Sequence, residues 1–395
     1  MMMTRRGLSA LLLLVATCLA LLHAPAAHAS EDKVLDVSMP PDYVIASRLK
    51  EDDSMVAVVR RSGAIFLLYD ATIIGAEFDD PSLREQAAFP GFAIMQCVAY
   101  IDRTIERAIQ IGLGIGTVPS FLRNQGIPTD VVEISDAVVR QAASYFQYER
   151  CDDDEPEECA NGKTYVTDGL AFIENAPSTP LYDAFTIDVY TGWNPVAFFV
   201  REVLETVRDK WLTPRGVLVL NFVGYIQGEH SVVPKSIYRT LQSLYPHVKA
   251  FRELADEVIP DGTNIVFFAS KEPFTFNVPT TGEYHDPPAR TYYDAVRNFQ
   301  NWEIFMDLKE ESVEVEVSQG LAAEEVSFSS SSPAPVVDPR VQVLTGADHG
   351  QEVFQETHRI TQEHMRKRVI EQFPDAMWKS LGVPLTKESE AVKAE

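Results

Sequence analysis

The stretch Ala108–Ser135, AIQIGLGIGTVPSFLRNQGIPTDVVEIS, holds residue types whose spacing can bind a nucleoside. Gly112, Gly114 and Gly116 permit a sharp backbone turn and a close approach to a ligand, because no Cβ stands in the way. Glu133 falls at the end of the apolar run that follows, where a carboxylate can accept both hydroxyls of a ribose. A dinucleotide fingerprint reads GxGxxG and sets a pyrophosphate on a helix N-terminus. Here the run is GxGxG followed by Thr117, and no basic residue appears before Arg123. That pattern suits an adenosine cofactor without phosphate, such as S-adenosylmethionine. An ordinary strand-to-helix turn is the alternative.

A second carboxylate with chemical potential is Asp188, at the end of the apolar run Ala184–Val189. Ligands bind beyond the carboxyl ends of strands in open α/β sheets, and a carboxylate there can orient an amine or take its proton. A helix N-cap or loop role would explain the same residue. Asp168 and Gly169 belong to a T-D-G that also makes a good turn, and Tyr190, Thr191 and Asn221 end polar on neighbouring runs. Tyr69 and Asp70 could cover a pocket from an earlier hairpin or simply form its turn. No HExxH, Cys/His cluster or GxSxG elbow is present, so neither a metal site nor a serine nucleophile is expected.

The elements that must position these residues can be read from periodicity. Residues 43–78 alternate β-rich runs with turn signals and predict a small antiparallel sheet. A helix is expected over 92–107, then strand–helix alternation through Ser270, with helices at 117–125, 136–146, 195–210 and 234–245. Val248–Leu254 and Asn264–Ser270 would pair as closing strands. Such alternation argues for a mostly parallel sheet with helices on both faces. Residues 289–309 and 351–381 carry helical periodicity, and 310–338, with SFSSSSPAP, reads as a low-complexity insertion.

Bulk properties narrow the partners. Hydrophobic content of 46% is that of a globular protein, and a formal charge of −24, from 34 basic and 58 acidic residues, disfavours nucleic acid and anionic membranes. Arg5 and Arg6 precede the apolar run Leu8–Leu22, and Ala27-His28-Ala29 supplies a small-x-small cleavage pattern. The run is shorter than the about 20 residues of a membrane span. A cleaved signal and a secreted or luminal destination are expected, an uncleaved anchor being the alternative. In an oxidising compartment Cys151 and Cys159 could close the acidic loop CDDDEPEEC. Cys97 sits in an apolar stretch and reads as core.

Several segments together resemble the spermidine synthase-like family, related to polyamine aminopropyltransferases and S-adenosylmethionine methyltransferases. IGLGIGT is similar to its cofactor loop, and VVEIS to its V-V-E-I-D with Ser135 in place of the acid. VTDGLAFIE resembles the adenine-contacting segment, and YDAFTIDVYTGWNP its active-site strand. The resemblance implies a class I methyltransferase-type Rossmann sheet preceded by a β-hairpin domain. In residues, that is a signal at 1–29, the hairpin region at 30–85, the cofactor domain at 86–275, a helical extension at 276–309, the insertion, and a C-terminal helical segment at 339–395. It implies S-adenosylmethionine or its decarboxylated form as cofactor, bound by Gly112, Gly114, Gly116, Glu133, Asp168 and Gly169. It also implies methyl or aminopropyl transfer to a small-molecule or protein amine near Asp188, and a possible homodimer. The family's D-x-x-D-P is here Asp188-Val189-Tyr190-Thr191, its second acid replaced by threonine, and its Y-H-E has no clear counterpart near Gln96. Those departures weigh against spermidine synthesis itself. A non-catalytic secreted member that binds a ligand or partner is the competing reading.

Overall fold

The computed structural model describes residues 42–81, 83, 87–151, 159–177, 181–253, 262–277, 299–304, 338–347 and 351–385. The signal and lead at 1–41, almost all of the insertion at 310–338, and the tail beyond Leu385 lie outside the described residues. The alternating runs form β1 (Tyr43–Glu51), β2 (Ser54–Arg61), β3 (Ala64–Tyr69) and β4 (Thr72–Phe78), an antiparallel sheet in the order β1-β2-β3-β4. Its turns use the left-handed conformation at Asp52, at Ser62-Gly63 and at Asp70, residue types that tolerate it. β2 is buried on both faces. Val56 and Val58 face Ile115, Ala137 and Phe146, while Ala57 and Val59 face residues from the far end of the chain.

After Pro90 the chain forms α1 (Pro90–Gln96) and a 3₁₀ turn to Tyr100, then runs extended. The helix expected through Arg107 therefore stops early. Tertiary hydrogen bonds win there: Asp102 N donates to Thr275 O, Asn277 N to Tyr100 O, and the Arg103 guanidinium reaches Arg215 O and Pro273 O. A helix would have consumed those backbone groups.

The second sheet contains β5 (Ala108–Ile111), β6 (Thr129–Glu133), β7 (Thr164–Val166), β8 (Tyr182–Ile187), β9 (Leu212–Gly224), β10 (His247–Arg252) and β11 (Thr263–Ser270), in the order β10-β11-β9-β8-β5-β6-β7. Every pairing is parallel except those of β11, which runs against both neighbours. This is the mostly parallel, Rossmann-like sheet expected from the sequence. Between its strands lie α2 (Thr117–Asn124), α3 (Asp136–Tyr145), α4 (Gly169–Asn175), α5 (Arg201–Thr206) and α6 (Val232–Leu244). Ile109, Ile111, Phe185, Ile187, Leu218 and Leu220 pack one face. Ala108, Ala184, Val217, Val219, Val266 and Phe268 pack the other against α1 and α2.

The single helix expected over 195–210 is three pieces: a 3₁₀ turn at Val196–Phe199, α5, and a π turn at Val207–Trp211. The wide turn delivers Trp211 into the core, where its Nε1 donates to Ile173 O at 2.9 Å and its ring stacks on Phe172 at 5.1 Å. Of the expected helix at 289–309, the described part is a 3₁₀ turn, Phe299–Trp302, followed by bridging of Glu303 to Phe251 on the β10 edge.

Cys151 and Cys159 form a disulfide, and Cys97 is a buried free thiol whose pKa burial pushes well up. Among the described residues no helix is long and apolar enough to cross a membrane.

The chain ends in α7 (Gln351–Gln372) and α8 (Asp375–Leu381), separated at Pro374, which cannot continue a helix. Phe373, Met377, Trp378 and Leu381 fill the apolar face of the hairpin sheet left open beside Ala57, Val59 and Leu68. Both ends of the described chain thus share one core. Trp378→Ala should destabilise the protein by about 3–5 kcal/mol, since it empties a fully buried site. Denaturant unfolding checks this, and a loss under about 1 kcal/mol would mean that α8 does not hold the sheet.

Candidate functional site

The sheet's carboxyl ends bring the glycine loop, Glu133, Asp168 and Asp188 to one edge. Gly112, Gly114 and Gly116 all have positive φ, at 86°, 56° and 84°. What their missing Cβ atoms would meet is protein. At Gly112 it is the Asp188 carbonyl oxygen at 2.0 Å, at Gly114 the Ile74 carbonyl oxygen at 2.6 Å, and at Gly116 the Tyr148 ring at 2.7 Å. The glycines therefore let the loop nest between β8, β4 and the segment after α3. Gly169 is required likewise, a Cβ there meeting Ile111 at 2.5 Å.

Glu133 spans this loop from below. Its Oε2 accepts from Leu113 N at 2.8 Å and its Oε1 from Ser135 N at 2.9 Å. Burial pushes its pKa up, against the opposing pull of backbone amides of Ser135, Leu113 and Ile134. Three amides on two oxygens leave the carboxylate lone-pair capacity for a hydroxyl donor. Ser135, standing where the family carries an acid, caps α3 by accepting from Val138 N at 3.0 Å and donates to Glu51 of the hairpin sheet. Glu51 also accepts from Ala137 N at 3.0 Å, so the hairpin supplies the carboxylate that position 135 lacks.

Beside Glu133, Ile134 is 66% exposed, and Val166 at the end of β7 is 41% exposed. Two large apolar side chains left open at adjoining strand ends are a platform for a flat apolar ring. Strand alternation across VVEIS carried that signal, since the residue between two inward polar groups must face outward. Asp168 caps α4, its Oδ1 accepting from Ala171 N at 2.7 Å.

Asp188 follows β8, its N donating to Ile111 O at 2.9 Å. Asn221 on β9 donates Nδ2 both to Asp188 Oδ1 at 2.9 Å and to Asn264 Oδ1 at 3.0 Å. Asn264 Nδ2 in turn donates to Glu253 Oε2 at 2.9 Å. This chain crosses the sheet edge from β8 to the end of β10. It was not legible in the sequence beyond Asp188 and Asn221, because its members lie far apart along the chain. Burial pushes the Asp188 carboxyl up to about 6, against the Asn221 hydrogen bond. Both amide protons of Asn221 are used, yet its Oδ1 is buried without a partner among the described residues, as is the Tyr190 hydroxyl. Burial pushes the Tyr190 phenol up, and Arg368 on α7 opposes it.

For Tyr69 and Asp70 the structure shows the turn role, the second of the two readings given for them. Asp70 Oδ1 accepts from Met55 N at 2.8 Å and closes the β3–β4 turn, and Tyr69 packs beside the Val56–Phe146 core. The hairpin residue that reaches the loop after β8 is Thr72, 3.5 Å from the Thr191 carbonyl oxygen that it donates to. Thr191 itself is exposed. Arg123 serves structure: it donates to the Thr129, Glu149 and Gly162 carbonyl oxygens and offers nothing to a phosphate. Asp130, buried with Arg107 at 2.8 Å and Tyr182 at 2.7 Å, is a further polar group that the sequence did not single out. Among the described residues no group of His, Cys, Asp and Glu could hold a metal ion.

No protein-family model matches the chain. A stretch of 196 residues is 35% identical to an N-terminal histidine N-methyltransferase of Emericella nidulans, covering 48% of this chain and 33% of that protein. The match thus spans about a third of that relative's length. Among solved structures, a probable spermidine synthase from Corynebacterium glutamicum aligns at TM-score 0.49 and 16% identity, over 64% of this chain and 87% of that one. A Thermotoga maritima spermidine synthase aligns at 0.40 and 17%, over 58% and 73%. Human Methyltransferase-like protein 13 in complex with SAH aligns at 0.36 and 23%, over 54% and 89%.

The glycine geometry can be tested by contrast. Gly126 also has positive φ, at 77°, but its Cβ would meet nothing within 4 Å. Gly126→Ala should cost about 1 kcal/mol, the backbone term alone. Gly112→Ala adds a clash with a carbonyl and should cost roughly 3 kcal/mol or more. Equal losses in denaturant unfolding would refute the close approach of Gly112 to β8.

Proposed function

We propose that this chain, which has the S-adenosylmethionine-dependent methyltransferase fold on a spermidine synthase-like plan, transfers a methyl group to a nitrogen of a protein acceptor, the N-terminal histidine in particular. The observation that carries the reading is the partly buried Asp188 beside the glycine loop, with a carboxyl near 6 and Asn221 fixing one oxygen. The similarity to an N-terminal histidine N-methyltransferase supports the acceptor class.

The residues present fit the cofactor. Glu133 can accept ribose hydroxyls, Ile134 and Val166 offer an apolar face for adenine, and no basic side chain in the loop demands a phosphate. S-adenosylmethionine, when bound, supplies an electrophilic methyl on a sulfonium. The chain's part is to present a neutral nitrogen and to remove its proton. With a carboxyl near 6, Asp188 is ionised at neutral pH and more basic than an ordinary aspartate, so it suits an imidazole or amine. Asn221 keeps its other oxygen turned toward the acceptor side by occupying Oδ1.

Calorimetry with S-adenosylmethionine and its decarboxylated form, followed by methyl transfer to a histidyl peptide, tests the proposal. Ile134→Asp should weaken S-adenosylmethionine binding about 10-fold or more, because it charges an apolar platform. Asp188→Asn should leave cofactor binding intact and lower kcat/KM by ~10²-fold or more. Wild-type activity should fall as pH drops through about 6, where Asp188 takes up its proton. Its raised pKa has the opposite sign for folding: below the ordinary carboxyl value of 3.8 there is no cost, and the cost is complete above about 6. Asp188→Asn should accordingly be no less stable than wild type at neutral pH, which separates lost chemistry from lost structure. Failure to bind either cofactor form would leave the non-catalytic reading, and preference for the decarboxylated form would favour aminopropyl transfer.

The leader over 8–22 and the Cys151–Cys159 disulfide support a place in the secretory pathway. Recovery of the cellular protein from the cytosol with residues 1–29 still attached would count against it.

A further inference from the structure

We infer that α7 forms a wall of the acceptor site and that Arg368 binds a carbonyl-type oxygen of the same acceptor whose nitrogen lies toward Asp188. The inference rests on the nitrogen-transfer reading above and names the chemistry of the ligand's other end. That ligand is a unit carrying both a nucleophilic nitrogen and a carbonyl or carboxylate oxygen, as a polypeptide N-terminus or a free amino acid does.

The course of α7 is the first observation. Phe354 packs among Phe199 and Phe222, each 6.5 Å away, on the β9 side. One turn on, His358 meets the half-exposed Trp193 ring edge-on at 5.4 Å, in the loop after β8. That loop is itself pinned to β9, since Asn194 exchanges two hydrogen bonds with the backbone of Val223. Ten residues beyond His358, Arg368 exerts its charge on Tyr190, and Val369 and Phe373 enter the hairpin core. Positions 354, 358, 361, 365 and 368 follow helical spacing along one face. The helix therefore passes over the polar strand ends that hold Asp188 and Asn221.

The second observation is a set of unmet hydrogen-bond needs along that path. Tyr190 Oη, His358 Nε2 and Asn221 Oδ1 are each buried without a partner among the described residues. A buried polar atom left unpaired is destabilising, so several beside one edge point to a polar ligand.

The third is Arg368 itself. The chain carries 58 acids against 34 basic residues, and on the outer face of the same helix Arg359 pairs with both Glu356 and Glu363. Arg368 is half-buried, its Nη1 lies 4.0 Å from Met365 Sδ, and no carboxylate pairs with it among the described residues. A half-buried guanidinium with no carboxylate partner among the described residues of an acidic protein is suited to an incoming oxygen acceptor. With Asp188 negative and Arg368 positive, the site matches a dipolar ligand. A diamine, cationic at both ends, would meet Arg368 with like charge.

The test uses the full chain with S-adenosylmethionine and four acceptors: histidine, histidinamide, a short peptide beginning with histidine, and putrescine. Arg368→Ala should raise KM for the histidyl acceptors about 10-fold or more, change kcat by less than about 3-fold, and leave cofactor affinity unchanged. Arg368→Lys should recover part of the loss, and Arg359→Ala should change nothing. Preference for free histidine identifies a carboxylate on Arg368, and preference for the amide and peptide identifies a carbonyl. An unchanged KM in Arg368→Ala while wild type turns over would overturn this inference alone, as would putrescine being the best acceptor. Cofactor binding without turnover of any histidyl acceptor would overturn the nitrogen-transfer reading and this inference with it.

Discussion

The position of the Asp188 carbonyl against Gly112 sets the geometry of the whole edge. A Cβ at 112 would lie 2.0 Å from that oxygen, so the end of β8 and the start of the glycine loop can meet only because residue 112 has no side chain. The same loop residue donates its N–H to Val132 O, and Asp188 donates its own to Ile111 O. Three strand ends are thereby locked together. The loop proposed to hold the cofactor and the carboxylate proposed to receive a proton cannot move independently. A transfer reaction that depends on alignment gains more from such rigidity than from any single contact.

The hairpin sheet completes this lock. Gly114 fits beneath the Ile74 carbonyl, Ile115 beneath Gly75, and Thr72 reaches Thr191, so β4 walls both the glycine loop and the loop after β8. Glu51 reaches further and caps α3 through Ser135 and Ala137. That sheet has an apolar back as well as an apolar front, and a four-stranded sheet with both faces open would be unstable alone. Phe373, Met377 and Trp378 cover the back. The C-terminal helices are therefore part of the foundation on which the glycine loop rests.

Much of this was legible in the sequence where the signal is local. Strand and helix alternation, the turn residues at Ser62-Gly63, the glycine loop, and Glu133 and Asp188 at strand ends each follow from patterns within a few residues. The failures have a common physical origin. The helix over 92–107 was cut short by hydrogen bonds to residues 273–277, and the 195–210 helix was widened to place Trp211. Asp70 carried the right chemistry but spent it on the Met55 amide. Asn264 and Glu253 reach Asn221 and so Asp188 from far along the chain, and no spacing rule connects them to it.

The two aspartates most deeply tied into the sheet show how environment divides one chemistry into two roles. Asp130 receives Arg107 and the Tyr182 hydroxyl on one oxygen and the Lys163 amide on the other, so both oxygens are held and the Arg107 guanidinium balances its charge. Such a group is a strut. Asp188 lies at the other end of the sheet, after β8, where among the described residues Asn221 is its donor and no cation stands beside it. Burial without compensation raises its proton affinity. The chain keeps its arginine out of direct contact with Asp188 and holds it on α7, near Tyr190. Pairing the two would have stabilised the fold and abolished the base. Their separation leaves a carboxylate that can take a proton and a guanidinium that can take an oxygen, which is the condition for recognising both ends of a polar acceptor.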